Sequence, residues 1–206
     1  MNKIETIDLF PTPVFRFNIG RNPSDEEKDF VNKCSKETFL NIGNVVSVDR
    51  YVLDKQEMAE IRKDIQFSLD SYLKEICAPM HNVEIYITQS WLNFTNPGQN
   101  HHTHSHPNSF LSGTFYFSAD KEKDSISFFN SSIREFVLPS NNYTRYNAER
   151  FTVPVETGDI LVFPSNLKHY VDDTFKERTL TRISIAFNTF LKGQIGDEMH
   201  LTSLRL

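Results

Sequence analysis

The chain has 206 residues, of which 38% are hydrophobic and 24% are charged, a composition typical of a folded globular protein rather than a disordered or fibrous one. Its formal net charge of −5 argues against a nucleic-acid backbone or an anionic membrane as the main partner. No apolar run approaches the roughly 20 residues that span a bilayer. The first residues lack the apolar core of a signal peptide, so we expect a cytoplasmic protein.

The segment before residue 20 predicts an edge strand. Pro11 and Pro13 stand just before an alternating run that starts at Val14. Because proline cannot donate a hydrogen bond to a strand ladder, this segment is expected at the edge of a sheet. An exposed edge can pair with a second copy of the chain, so it offers a surface for a homodimer.

Two helices are predicted before residue 80. Ser24 and Glu27 match a capping box, from which a helix should run to about Thr38. A second helix should follow the cap-like pair Asp54 and Glu57 and end before Pro79. Its apolar residues recur every three or four positions and form one stripe: Met58, Ile61, Ile65, Leu69, Leu73 and Ile76. This stripe indicates a helix that covers a sheet.

From residue 84 the hydrophobic period changes to two, which predicts strands. The candidate strands are 84–94, 110–118, 125–130, 134–138, 150–155, 159–163 and 180–190, with a short one near 167–171. Two helices followed by many short strands favour an antiparallel sandwich or barrel with the helices packed on one face. We expect a single domain, 1–206, in which 1–83 form the N-terminal strand and supporting helices, 84–191 the β core and 192–206 a tail.

Histidines are concentrated in one short segment. His101, His102, His104 and His106 fall within six residues. Side chains at i and i+2 of a strand point to the same side, so His104 and His106 can face one point inside a barrel mouth. His102 with His104 is a second register that stays open. Imidazole is a ligand for Fe, Zn, Cu or Ni, and two rarely suffice, so a third ligand distant in sequence is expected near His169.

A cationic residue follows His169 on the next predicted strand. That strand begins with Arg182, and strands this close in sequence are neighbours in a closed barrel. Arginine binds a carboxylate through two hydrogen bonds and stays charged when buried, so Arg182 is a candidate for holding an anionic co-substrate. Arg178 competes for that role but lies in the polar loop before the strand.

Over nearly its whole length the chain resembles the 2-oxoglutarate/Fe(II)-dependent oxygenase superfamily, and within it a small group of phage and bacterial proteins. The resemblance rests on residues 9–14, 98–107, 109–116 and 158–165, and on the separation of 13 residues between His169 and Arg182. It implies a mainly β fold, the cupin-like double-stranded β-helix or jelly roll. It also implies an enzyme that uses Fe(II) and 2-oxoglutarate to hydroxylate an unidentified small molecule or side chain, with release of succinate and CO2.

The resemblance also implies which residues form the site. His104, His106 and His169 would bind the metal. Arg182, helped by the Ser184 hydroxyl, would pair with the far carboxylate of 2-oxoglutarate. Further residues are expected around these two groups: Tyr116 and Asn93 as polar contacts in the cofactor pocket, and His101, Trp91 and Asn130 as contacts to the substrate or to the ligands.

One position departs from the superfamily. Two residues after His104, where most members carry Asp or Glu, stands His106. A three-histidine set occurs in some cupin-type oxygenases of the same shape, so a metalloenzyme that does not use 2-oxoglutarate stays an alternative, as does a jelly roll that binds metal or ligand without turnover. In a further alternative His106 is not a ligand. The segment 131–150 is expected to be a lid over the site or a variable loop.

Overall fold

A computed structural model describes residues 4–130, 138–172 and 179–206 of the chain. Arg178 and almost all of the predicted strand 134–138 lie outside these residues. The predicted lid, 131–150, is described only from residue 138 onward.

Both predicted helices are present, with different ends. Helix α1 (Asp25–Cys34) starts with the capping box: the Glu27 amide donates to Ser24 Oγ at 3.2 Å, and the Ser24 amide donates to the Glu27 carboxylate at 2.6 Å. The helix ends at Cys34 and not near Thr38, because Thr38 begins a strand.

Helix α2 (Ala59–Tyr72) is preceded by two 3₁₀ turns, Val52–Asp54 and Gln56–Met58, and followed by a π-helical turn, Leu73–Cys77. The predicted cap at Asp54 was wrong, since the Asp54 carboxylate accepts from the Arg62 guanidinium instead. None of the described helices is long and apolar enough to cross a membrane.

The described strands form two antiparallel sheets. They are β1 (Phe15–Asn18), β2 (Thr38–Leu40), β3 (Val45–Ser47), β4 (Val83–Thr95), β5 (His101–His104), β6 (Leu111–Ser118), β7 (Ser125–Phe129), β8 (Arg150–Pro154), β9 (Asp159–Pro164), β10 (His169–Val171), β11 (Arg182–Ile195) and β12 (Leu204–Arg205). The larger sheet has the order β1-β9-β6-β11-β4-β3-β2, with β12 on β11, and the smaller has the order β5-β10-β7-β8.

From β4 to β11 the chain alternates between the two sheets, except at the β7–β8 hairpin. This alternation is the double-stranded β-helix that the resemblance implies, and it agrees with the antiparallel sandwich or barrel predicted from the strand pattern. The described strands β2, β3 and β12 were not predicted. β5 lies in the histidine segment, where a strand holding both His104 and His106 was expected, but it ends at His104. β1 lies at the edge of the larger sheet, as the two prolines indicate, and it pairs only with β9 among the described strands.

Two apolar layers hold the fold together. The first lies between the larger sheet and the helices, where Ile61, Ile65 and Leu69 of α2 are fully buried against strand residues such as Ile185. This confirms the predicted stripe from Met58 to Leu73, whereas its last member, Ile76, is 45% exposed. The second layer lies between the sheets and fills only part of that space; its members are Tyr116, Ile126, Phe128, Val155, Leu161, Phe163 and Leu167. The remaining inner surface carries polar side chains.

We expect the Ile65→Ala substitution to lower the free energy of unfolding by about 2–5 kcal/mol, because it leaves a cavity under a fully buried side chain. Lys63→Ala, an exposed change on the same helix, should shift it by no more than about 0.5 kcal/mol. Urea titration followed by circular dichroism measures both. Equal effects of the two changes would contradict the proposed helix–sheet core.

Candidate metal and co-substrate site

Two histidines face each other across neighbouring strands of the smaller sheet. His104, at the end of β5, is the register partner of His169, at the start of β10. The Nδ1 atom of His104 lies 2.8 Å from the His102 carbonyl oxygen, and Nδ1 of His169 lies 2.9 Å from the Leu167 carbonyl oxygen. A carbonyl only accepts, so both Nδ1 atoms carry the proton and both Nε2 atoms keep a lone pair for a ligand bond.

His106 completes this cluster from the turn after β5. Its backbone amide donates to the Ser165 carbonyl at 2.9 Å, which fixes the turn. The Nε2 atoms of His106 and His169 are 3.3 Å apart, and one ligand atom from each of His104, His106 and His169 lies within 4.8 Å of the others. Metal–nitrogen bonds of about 2.1 Å at right angles separate two ligands by about 3 Å. The three rings therefore fit a single metal ion.

Burial keeps these rings neutral. It lowers the pKa of His106 to about 3 and that of His169 to about 4, and the neighbouring histidines add to both shifts by disfavouring a further positive charge. The pKa of His104 is lowered too, again chiefly by burial. At neutral pH the cluster therefore presents lone pairs rather than protons to a cation.

A buried cation lies on β11 in the larger sheet. The prediction that its strand neighbours that of His169 was wrong, because β11 pairs with β4 and β6 whereas β10 pairs with β5 and β7 in the smaller sheet. Arg182 is only 4% exposed, its Nη1 donates to the Ser125 carbonyl at 3.1 Å, and its guanidinium carbon lies 5.1 Å from the centre of the Tyr116 ring. In the part of the chain that the structure describes, the Arg182 Nε and the Tyr116 hydroxyl are the buried side-chain polar atoms without a hydrogen-bond partner. Burial raises the pKa of Tyr116 to about 12, so its hydroxyl stays a donor. Two unpaired donors at a buried charge indicate an anionic ligand.

The four residues predicted to bind the co-substrate lie together. Ser184 is the register partner of Asn93 on one side and of Tyr116 on the other, so the three side chains share one side of the sheet. Arg182 precedes Ser184 by two residues and points to that same side. All four are buried. The donor set of a guanidinium, a phenol, a hydroxyl and an amide suits a dicarboxylate such as 2-oxoglutarate.

Two asparagines that the sequence analysis missed support Asn93 through a chain of amide hydrogen bonds. Asn44 Nδ2 donates to Asn93 Oδ1 at 3.3 Å, and Asn41 Nδ2 donates to Asn44 Oδ1 at 3.0 Å. Both supporting residues lie in the turn between β2 and β3, two strands that were not predicted. Because the oxygen of Asn93 is used in this way, its amide nitrogen is the group left to face a ligand.

A shift in the register between β5 and β10 changes the direction of the His101 side chain. The register runs from His104 opposite His169 to His101 opposite Val171, so β5 has one residue more than β10 in this interval. In a regular strand His101 and His104 would point to opposite sides, whereas here their rings stack at 4.5 Å with an interplanar angle of 25°. His101 thus contacts a predicted ligand, in keeping with its expected role.

The two remaining predicted site residues differ in placement. Trp91 is partly exposed and lies beside the cluster, with its ring centre 6.0 Å from that of His106. Asn130 is exposed, follows the end of β7 and donates to the Ala148 carbonyl oxygen at 3.3 Å.

Residues 89–188, slightly less than half of the chain, match the family described as "Putative 2OG-Fe(II) oxygenase". This region is therefore similar to the 2-oxoglutarate/Fe(II)-dependent oxygenases. The match includes the three clustered histidines, Arg182 and Ser184. Comparison with curated proteins gives no match.

Solved structures of the superfamily share the fold. HygX from Streptomyces hygroscopicus, crystallised with nickel, 2-oxoglutarate and hygromycin B, is 14% identical, with a TM-score of 0.58 over 86% of this chain and 82% of its own. The epimerase SnoN from nogalamycin biosynthesis is 10% identical, with a TM-score of 0.57 over 87% and 78%. A Pseudomonas putida prolyl-4-hydroxylase is 10% identical, with a TM-score of 0.56 over 86% and 92%. At these identities the likeness concerns the fold.

We expect Tyr116→Phe to leave the free energy of unfolding of the ligand-free protein unchanged or to raise it by up to about 1 kcal/mol, because it deletes a buried hydroxyl without a partner. Tyr72→Phe is the matched control, since the buried Tyr72 hydroxyl donates to the Pro13 carbonyl at 3.2 Å. Its loss should cost about 0.5–1.5 kcal/mol. Denaturant titration of both variants tests this, and an equal loss for the two would show that the Tyr116 hydroxyl has a partner in the free protein.

Proposed function

We propose that this protein is an Fe(II)- and 2-oxoglutarate-dependent oxygenase that hydroxylates its substrate with release of succinate and CO2. The observation that carries the proposal is the pairing, in one jelly roll, of a three-nitrogen cluster with a buried cation, Arg182, that forms no ion pair with the residues that the structure describes. Neither feature stabilises the fold by itself, because unpaired buried polar atoms cost free energy. Both are accounted for by the two ligands of this superfamily.

Each side chain has a distinct task in this proposal. His104, His106 and His169 would hold the iron through their Nε2 atoms, and the bound iron supplies the activation of dioxygen. Arg182 and Tyr116 would bind the carboxylate farther from the reacting 2-oxo group, with Ser184 and Asn93 beside them. Apolar rings shield the histidines: Phe163 lies 4.8 Å and Phe128 6.0 Å from the His169 ring, which keeps water from that side of the site.

The third histidine changes the charge balance in a way that favours the co-substrate. A site with two histidines and a carboxylate leaves a divalent ion with one net positive charge, whereas three neutral histidines leave two. Arg182 adds one more. The dianion of 2-oxoglutarate therefore meets a more positive pocket here, and electrostatic attraction grows accordingly in a buried site.

A cupin-like metalloenzyme that does not use 2-oxoglutarate is the second candidate, favoured by the three-histidine set. A jelly roll that binds metal or ligand without turnover is the third. The proposed substrate is a small molecule or a protein side chain, because the net charge of −5 disfavours nucleic acid. The proposed location is the cytoplasm. Dimer formation through β1 stays a prediction.

Anaerobic titration with Fe(II) and 2-oxoglutarate tests the proposed function directly. The wild-type protein should develop the weak visible charge-transfer band of the iron chelate and should release succinate when oxygen is admitted. Arg182→Ala should weaken 2-oxoglutarate binding at least about tenfold, since it removes the buried counter-charge. Arg205→Ala, an exposed arginine on β12, is the matched control and should change nothing.

The outcomes separate the three candidates. No band and no succinate would exclude the oxygenase. Metal-dependent turnover that survives Arg182→Ala, with 2-oxoglutarate binding absent in both forms, would support the cupin-like enzyme. Metal binding without any turnover would support the binding protein.

Substitution of His106 tests whether it is a ligand. We expect His106→Asp to keep one equivalent of iron and the charge-transfer band, because it restores two histidines and a carboxylate. His106→Ala should weaken iron binding at least about tenfold. Isothermal titration with Fe(II) under nitrogen measures both, and equal iron affinity of wild type and His106→Ala would remove His106 from the ligand set.

A further inference from the structure

The histidine cluster extends beyond the proposed iron ligands. His101, His102 and His104 form a second group in which one ligand atom from each ring lies within 4.8 Å of the others. The ring centres of His101 and His104 are 4.5 Å apart, those of His102 and His104 are 5.0 Å apart, and those of His101 and His102 are 5.3 Å apart. The extra residue in β5 creates this group, because regular alternation would separate His101 from the other two.

We propose that His101, His102 and His104 form a second divalent-cation site, which takes Zn²⁺, Ni²⁺ or Cu²⁺ and cannot be filled at the same time as the inner site of His104, His106 and His169. The two sites share His104. This proposal concerns metal binding alone and does not depend on whether the protein uses 2-oxoglutarate.

The hydrogen bonds around the three rings leave each with an unprotonated Nε2 atom. Nδ1 of His102 lies 3.3 Å from the Ile42 carbonyl oxygen, and Nδ1 of His104 lies 2.8 Å from the His102 carbonyl oxygen, so both Nδ1 atoms are the donors. Nε2 of His101 lies 3.5 Å from the Asn41 amide nitrogen, which only donates, so this Nε2 is the acceptor. A contact of that length is easily replaced by a metal bond.

Competition between the two sites follows from the single lone pair of His104. Its Nδ1 proton is engaged by the His102 carbonyl, which leaves only Nε2 for a ligand bond. We call His101, His102 and His104 the outer group, and His104, His106 and His169 the inner group. An ion held by the outer group therefore removes His104 from the ligands of the inner group. The outer group is also closer to solvent, since His101 and His102 are partly exposed while His169 is buried.

The ligand chemistry selects the ions. For nitrogen ligands the affinity of divalent ions rises from iron through nickel to copper, and zinc also binds more tightly than iron. Tetrahedral Zn²⁺ with bonds of about 2.0–2.1 Å separates its ligands by about 3.3 Å, and the outer ligand atoms lie within 4.8 Å of one another, so they must close by at most about 1.5 Å. His102, on the solvent side, has room for that movement. The outer group should therefore capture these ions and slow iron loading.

Co²⁺ binding to the metal-free full chain tests the proposal, followed by its visible absorption and by isothermal titration. The double variant His106→Ala/His169→Ala removes the inner group and keeps the outer one. It should bind one equivalent of Co²⁺, and the further change His102→Ala should weaken that binding at least about tenfold. His200→Ala in the same background is the matched control, an exposed histidine far along the chain that should change nothing.

Equal Co²⁺ affinity with and without His102 in the double variant would overturn the proposal. A second measurement uses the unaltered protein and so does not depend on the folding of any variant. On addition of substoichiometric Zn²⁺, the ring nitrogen resonances of His101 and His102 should shift together with those of His104. Shifts confined to His104, His106 and His169 would overturn the proposal as well.

Discussion

β11 lies between β4 and β6, and its antiparallel register with both strands controls how the two faces of the larger sheet are used. Ile183 and Ile185 point to the helices and pack into the first apolar layer, while Arg182 and Ser184 point between the sheets. A slip of one residue would exchange these two sets, burying a guanidinium under the helices and placing isoleucine in the pocket. The packing that stabilises the helix–sheet core therefore also fixes the orientation of the co-substrate residues.

The smaller sheet supplies the other half of the site and tolerates more irregularity. His104 and His169 meet as cross-strand partners, which is a regular feature of antiparallel pairing. The extra residue in β5 brings His101 into contact with His104, and the turn after β5 brings His106 into contact with it as well. A single ring thus contacts two different groups of ligands, and the choice between them is a property of local backbone geometry rather than of residue type.

The pocket carries a stability cost that its ligands offset. Arg182 and Tyr116 keep buried donors without partners in the described protein, and each such atom forfeits its hydrogen bonds with water. Binding of a dicarboxylate would supply hydrogen-bond partners to these atoms, so the bound co-substrate would also raise the free energy of unfolding. The asparagine chain through Asn44 to Asn93 has the opposite character: it is satisfied in the free protein and holds one amide in a fixed orientation.

The sequence by itself determined the mainly β class, the capped first helix and most of the apolar stripe of the second, because strand and helix periods are local properties. The resemblance to the oxygenase superfamily grouped His104, His169 and Arg182 into one site. The sequence did not determine the β2–β3 turn with its asparagines, the irregular register of β5 or the exposed position of Asn130. Those features arise when segments distant in sequence pair with one another. Only the tertiary structure decided them, because a hydrogen bond between distant strands leaves no periodic trace in either segment.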